Sequence, residues 1–250
     1  MGKCKRSAVR ALRWLVDEGV EVAAVVASEP DPWTREEQRL DLAAERHGLP
    51  LVGEGELHAA PPGEIDVVLS FLFWKRIREP VLSLGRIGCL NFHPAPLPDL
   101  RGLGGYNVAI LEDLPEWGVS CHFVDEGFDT GDLVAVVRFP IDRSAETAFS
   151  LDLRSQERLL ELFQRVMERL AAGEELPRVP QGEGRYVDRA EFESLRVVRP
   201  GDDLERKVRA FWYPPHPGAV LEVDGRRVTL VDERLLAEVA DLYRDAGRIP

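Results

Sequence analysis

An α/β fold, with a mostly parallel sheet covered by helices on both faces, is predicted by two observations. Residues 20–27 and 65–70 are short, wholly or nearly apolar runs, the composition of strands buried on both sides. They alternate with segments whose apolar residues recur at helical spacing, the pattern of a Rossmann-like layered sheet. In such sheets ligands bind beyond the carboxyl ends of the strands.

Taken in order, residues 7–17 place Ala8, Ala11, Leu12, Leu15 and Val16 on one helical face, and Gly19 ends that helix. Residues 20–27 then read as a buried strand, 35–47 as a second helix closed by Gly48, and 49–52 as a short strand. After the Pro-Pro-Gly-Glu stretch comes the strand 65–70, then a short helix over 78–84. An apolar strand over 87–90 delivers Asn91 and His93 into a loop where Pro94, Pro96 and Pro98 forbid helix. A helix begins at Tyr106, a strand covers 119–124, another covers 133–141, and the longest helix spans 146–172 with its stop at Gly173. Its residues Leu151, Leu159, Leu162, Phe163, Val166 and Leu170 form one stripe. A Pro- and Gly-rich connector follows, then a helix over 204–211 and a hairpin. The hairpin pairs 219–223 with 227–231 through the turn Asp224-Gly225.

The expected organisation is a catalytic domain over 1–177 and a small C-terminal α+β subdomain over 178–250, which docks on the first or makes a homodimer contact. A sheet of this kind opens with a buried strand, yet only six residues precede the first helix. The expectation is therefore a first strand lost to a truncated start.

At 250 residues, 44% hydrophobic and 30% charged, the chain has the composition of a folded globular protein. No apolar run approaches a membrane span, and the first twenty residues lack a signal-peptide core, so a cytoplasmic location is expected. A net charge of −12 argues against a nucleic-acid partner, because phosphate contacts require a basic surface. Cys4, Cys89 and Cys121 lack CxxC spacing, so neither a disulfide framework nor a zinc ribbon is indicated. A zinc site from Cys89, His93, Cys121 and His122 has no standard ligand spacing, and no metal is expected.

The candidate chemistry lies between Cys89 and Asp132. Asn91 and His93 follow one strand, and Asp129 lies in the loop after another. An amide, an imidazole and a carboxylate at strand ends are the parts of a general acid–base and oxyanion site. His122, inside a strand, reads as a packed or surface histidine. The Gly-rich run at 102–105 lacks dinucleotide-cradle or Walker spacing and reads as a flexible loop.

Asn91-Phe92-His93, the prolines, Arg101-Gly102 and Asp129-Thr130-Gly131, in this order and spacing, resemble the folate-dependent formyltransferase family. The segment from Lys207 to Val231 is similar in layout to sugar-nucleotide N-formyltransferases. The resemblance implies N10-formyltetrahydrofolate as co-substrate and a primary amine as acceptor. Asn91 and His93 would then meet the formyl carbonyl, with Asp129 behind them. It places the pterin between Phe71, Phe73, Trp74, Lys75, Arg76 and Ile77 on one side and Val124, Asp125, Glu126, Gly127 and Phe128 on the other. For Phe71 and Phe73, core packing is an equal alternative. Arg101, Gly102, Tyr106, Asn107 and Trp212 are the acceptor-side candidates. The expected acceptor is a nucleotide-linked amino sugar. The alternatives are methionyl-tRNA, another small amine, hydrolysis of the formyl donor, and an inactive folate- or nucleotide-binding protein.

Overall fold

The computed structural model describes residues 1–57, 59 and 63–245; the Pro-Pro pair before the 65–70 strand lies outside them. The helices are α1 (Arg6–Asp17), α2 (Leu40–Arg46), α3 (Glu54–Leu57), α4 (Gly105–Leu111), α5 (Ala148–Ala171), α6 (Arg189–Arg196), α7 (Leu204–Phe211) and α8 (Glu233–Asp245). The strands are β1 (Ile65–Phe71), β2 (Gly85–His93), β3 (Leu100–Gly102), β4 (Glu116–Phe123), β5 (Leu133–Pro140), β6 (Arg185–Val187), β7 (Val220–Val223) and β8 (Arg226–Thr229). The result is an α/β fold whose main sheet has the order β1-β2-β4-β5. Strands β1 and β2 run parallel, and β4 enters antiparallel to β2. Among the described residues no helix is long and apolar enough to cross a membrane.

The chain forms two compact units, each built from separated segments. The first comprises Met1–Arg101, Gly118–Arg138 and Ser155–Arg185. Its core follows from strand alternation. Phe71 on β1 and Phe92 on β2 share a face, with ring centroids 5.9 Å apart, and Phe163 of α5 meets them at 5.6 and 5.0 Å. Trp14 of α1 closes the cluster on Phe163 at 5.9 Å, edge to face. Phe163 is only 1% exposed, and truncating such a ring leaves a cavity with no atoms to fill it. Phe163→Ala is therefore expected to destabilise the protein by about 3–5 kcal/mol, read as a fall in the denaturant midpoint.

Several elements differ from the sequence expectation. Residues 20–27 do not form a continuous strand: they contribute only single parallel bridges, from Val25 to Leu51 and from Ala27 to Gly2. The run alternates exposed and covered positions, Glu21 among the exposed, so too little of it has neighbours on both sides to build a ladder. The 49–52 strand is likewise reduced to the bridge at Leu51. Gly2 also bridges Phe71 in parallel, so residues 1–3 lie alongside β1. The helix expected over 35–47 breaks at Arg39, whose backbone is extended and whose guanidinium grips Asp41. What remains is a 3-10 turn, Glu36–Gln38, followed by α2. The helix expected over 78–84 is a 3-10 turn, Val81–Ser83.

The second unit comprises Gly102–Trp117, Phe139–Arg154 and the chain from Tyr186 onward. Helix α4 packs on α7, burying Val108, Ala109 and Ile110 on the first, and Val208, Ala210 and Phe211 on the second. Gly104 begins α4 at φ +67°, and a Cβ there would lie 2.3 Å from the Phe192 ring. Close packing thus explains this glycine, where a flexible loop was expected. The β7–β8 hairpin has the expected turn, with φ +47° at Asp224 and +72° at Gly225. Helices α6 and α8 were not anticipated. Helix α6 offers only Ala190, Phe192 and Leu195 as apolar side chains, too short a run to read as a repeat, and its start is set by the Asp188 side chain accepting from the Glu191 N–H at 2.8 Å.

Candidate active site

All of the site described next belongs to the first unit. Strand register builds it. Ser70 of β1 lies opposite Asn91 of β2, and Asn91 lies opposite His122 of β4. Because side chains alternate, this row occupies one face, while Phe71, Phe92 and Cys121 occupy the other. The row is hydrogen-bonded throughout. The Ser70 hydroxyl donates to Asn91 Oδ1 at 2.7 Å, and Asn91 Nδ2 lies 3.1 Å from His122 Nε2 and 3.4 Å from Asp129 Oδ1. His122 Nδ1 is 2.7 Å from the Phe123 carbonyl, which can only accept. In the neutral ring the proton therefore sits on Nδ1, and the Nε2 lone pair receives the Asn91 amide. Asp129 Oδ1 is 3.6 Å from both His93 Nδ1 and His122 Nε2.

Asn91 and His93 were expected just past a strand. They are instead the last residues of β2, held by the ladder that pairs His93 with Ser120. Ser120 in turn shapes the Pro-rich loop: its hydroxyl donates to the Ala95 carbonyl at 2.7 Å and accepts from the Leu97 N–H at 2.9 Å. Asp129 adopts a left-handed backbone, φ +55°, a conformation that Asp tolerates and that marks stored strain. The loop around it is clamped. Asp125 Oδ1 accepts from the Gly127 N–H at 2.9 Å and from the Thr130 hydroxyl at 2.7 Å. At Gly131 a Cβ would fall 2.0 Å from the Phe123 carbonyl oxygen, so only glycine passes there.

A solvent-open cleft lies over this row, lined by Ser70, Asn91, His122 and Asp129 on its polar side. Phe73, Ile77, Val124 and Phe128 supply apolar wall, with Lys75, Arg76 and Gly127 at its edges. Leu72, at φ +56°, turns the chain off β1 so that Phe73 joins the wall while Phe71 stays in the core. Phe71, a co-substrate candidate from sequence, thus lies on the opposite face of the sheet, as strand alternation from Ser70 requires. Trp74 stacks near Phe73 and Lys75 and does not line the cleft. Asp125 is occupied as a loop clamp, and Glu126 is likewise outside the lining.

Burial is the largest influence on His93 and holds its imidazole below the ordinary range; Asp129 opposes this and His122 reinforces it. For Asp129, burial works upward, but His93, His122 and Arg101 outweigh it and hold the carboxyl below its usual value. The site therefore contains a neutral imidazole beside an ionised carboxylate at neutral pH. The acid limb of kcat/KM is expected below pH 6.5, the ordinary histidine value; a pH–rate profile checks this, and a limb above that value would contradict it. The same depression makes the unfolded chain take up a proton first. His93 thus lowers stability as pH falls below about 6.5.

Arg101 was an acceptor candidate. Its guanidinium donates to Gln181 Oε1 at 2.9 Å and to the Gly182 carbonyl at 3.1 Å, while Gln181 Nε2 donates to the Gly131 carbonyl at 2.6 Å. Arg101 thus braces the Asp129 loop. The remaining acceptor candidates belong to the second unit. Asn107 Nδ2 donates to the Ala210 carbonyl at 2.7 Å, Trp212 is 6% exposed, and the Tyr106 hydroxyl donates to Asp152 at 3.1 Å. The contacts of these three groups lie within that unit. Gly102 has φ +83° and takes part in strand β3.

His122 was read from sequence as packed or surface; it is buried at the centre of the row. The available signal was its parity with Ser120 and its position seven residues before Asp129, but pairing with Asn91 depends on register. Cys121 lies on the opposite face, which separates the four residues of the conceivable zinc set. Among the described residues no cluster of three His, Cys, Asp or Glu is arranged to hold a metal ion.

An α/β sheet presenting a primary amide, an imidazole and a carboxylate to a cleft with one apolar wall, with a second imidazole 3.6 Å from that carboxylate, has the groups that an enzyme acting at a carbonyl requires. Residues 56–167 match the family described as Formyl transferase. The chain is 31% identical to the methionyl-tRNA formyltransferase of Novosphingobium aromaticivorans over 252 residues, covering 96% of this chain and 81% of that protein. It is 33% identical to the GDP-perosamine N-formyltransferase of Brucella melitensis over 165 residues, 64% of this chain and 62% of that one. Its fold is similar to that of an N-formyltransferase from Helicobacter canadensis, solved with folinic acid and dTDP-3-aminofucose, at a TM-score of 0.73 and 19% identity over 93% of this chain and 87% of that one. The chain belongs to the formyl transferase family and is a folate-dependent formyltransferase, whose formyl donor is N10-formyltetrahydrofolate.

Proposed function

We propose that the protein transfers a formyl group from N10-formyltetrahydrofolate to the primary amine of a nucleotide-linked amino sugar. The observation that carries the site is the cross-strand row Ser70–Asn91–His122, joined by Asp129 at the base of the apolar cleft. A flat pterin suits a slot walled by Phe73, Ile77, Val124 and Phe128. Asn91 Nδ2 keeps one hydrogen on His122 and turns the other from its long 3.4 Å contact with Asp129 to the oxygen that becomes negative as the amine nitrogen attacks the formyl carbon. His93, neutral at physiological pH, accepts the proton that the amine must lose, and Asp129 stabilises the imidazolium so formed. The carbon–nitrogen bond to the acceptor forms first, giving the tetrahedral oxyanion; its collapse restores the carbonyl and breaks the bond to N10, which takes the proton held by His93. Asn91, His93 and Asp129 are the catalytic residues of this reading.

For the acceptor, support comes from the solved relative holding dTDP-3-aminofucose, which matches over nearly the whole chain. The acidic charge of −12 also disfavours tRNA. A second reading, formylation of methionyl-tRNA, is favoured by the 31% identity to such an enzyme over 96% of this chain. Incubation with N10-formyltetrahydrofolate and either dTDP- or GDP-linked amino sugars or methionyl-tRNA, with mass analysis of the products, separates the two. Formylated nucleotide sugar is the expected product. Exclusive formylation of methionyl-tRNA would replace the first reading with the second.

A further inference from the structure

We infer that Ser70 is a positioning residue, whose hydroxyl anchors the oxygen end of the Asn91 amide, while the acceptors His122 and Asp129 on the other end select Nδ2, so that the three together hold the amide in one orientation at the cleft. The inference rests on the proposed role of Asn91. A carboxamide has a donor end and an acceptor end of nearly equal shape, and rotating it by half a turn converts an oxyanion donor into a repelling oxygen. Something must hold it. Ser70 is 2% exposed, and its hydroxyl donates to Asn91 Oδ1 at 2.7 Å, the shortest contact that the amide makes. Register places the two side chains directly opposite each other on parallel strands, so the contact is built into the sheet. With Oδ1 engaged, Nδ2 faces His122 and Asp129 at 3.1 and 3.4 Å, with the cleft before it. Neither of those partners can replace Ser70. The His122 lone pair and the Asp129 carboxylate both select Nδ2, but neither donates to the oxygen end. Ser70 is the donor that completes the selection, and alanine at this position would leave Oδ1 without its partner.

The test is a double-mutant cycle on the full chain with N10-formyltetrahydrofolate and dTDP-3-aminofucose, and with methionyl-tRNA if that sugar is not turned over. Ser70→Ala should lower kcat about tenfold, the factor that one lost hydrogen bond supplies, with the affinity for tetrahydrofolate unchanged. In an Asn91→Ala background the same substitution should have no further effect on kcat, because a residue acting through Asn91 has nothing left to orient. Equal losses in both backgrounds, or an unchanged kcat in Ser70→Ala while Asn91→Ala is impaired, would overturn the inference alone. Full activity of Asn91→Ala, or no turnover by the wild type with either acceptor, would overturn the functional reading and the inference resting on it.

Discussion

Asn91→Ala is expected to lower kcat by about 10²–10³-fold while leaving the fold in place. The amide is the group on the cleft face best placed to donate to an oxygen that gains charge, and it is pre-oriented at both ends by Ser70 and His122. Loss of such a donor acts on the transition state and therefore on kcat more than on KM. The structural consequence is small. Truncation leaves the Ser70 hydroxyl and His122 Nε2 short of one partner each, about 1–3 kcal/mol per group at most. Steady-state kinetics and thermal unfolding of the purified variant check both halves. A variant that unfolds with wild-type cooperativity but transfers formyl at the wild-type rate would remove Asn91 from the mechanism.

Asp129→Asn should cost about 10²–10⁴-fold in kcat, because the imidazolium formed on His93 would lose its counter-charge 3.6 Å away. Asparagine is the informative replacement. It matches the carboxylate in shape and, like aspartate, tolerates the left-handed backbone found here, so the loop should keep its course. The charge also has a pH signature in stability. The Asp129 carboxyl lies below its ordinary value of 3.8 in the folded protein, so its ionised form favours the folded state. That contribution is fully present above pH 3.8 and is lost as pH falls through the folded-state value. The stability difference between wild type and Asp129→Asn should thus narrow below pH 3.8. A gap that stays constant with pH would argue against an electrostatic role for this carboxylate.

Much of the fold was legible locally. Helical spacing in 7–17 and 146–172 marked α1 and α5 within a few residues, and the apolar run ending in Ser70 marked β1. Asp224-Gly225 announced the hairpin because a two-residue turn of that kind demands positive φ. The misreadings share a cause. The 20–27 run has strand composition, but a strand exists only where a neighbour supplies hydrogen bonds, and here Val25 and Ala27 find single bridges. Helix α6 announces itself through its cap more than through an apolar stripe, so periodicity passes over it. Phe71 is a similar case, since only the face taken by Ser70 decides that its ring belongs to the core.

Asn91, His93 and Asp129 stood out as candidates in the sequence because their residue types, the prolines between them and the flanking apolar strands are all local features, and the family resemblance these residues carry implied formyl transfer. What the tertiary structure decided is which other groups share their face. His122, antiparallel to β2 through β4, and Ser70, parallel through β1, reach Asn91 only by register between strands far apart in the chain. A shift of one residue would have turned either side chain to the other face. Arg101 and Asn107 show the converse, since polar residues that sequence offers to a substrate find their partners within the fold. Chemical identity is written along the chain, whereas the company each group keeps is set by pairing across the sheet.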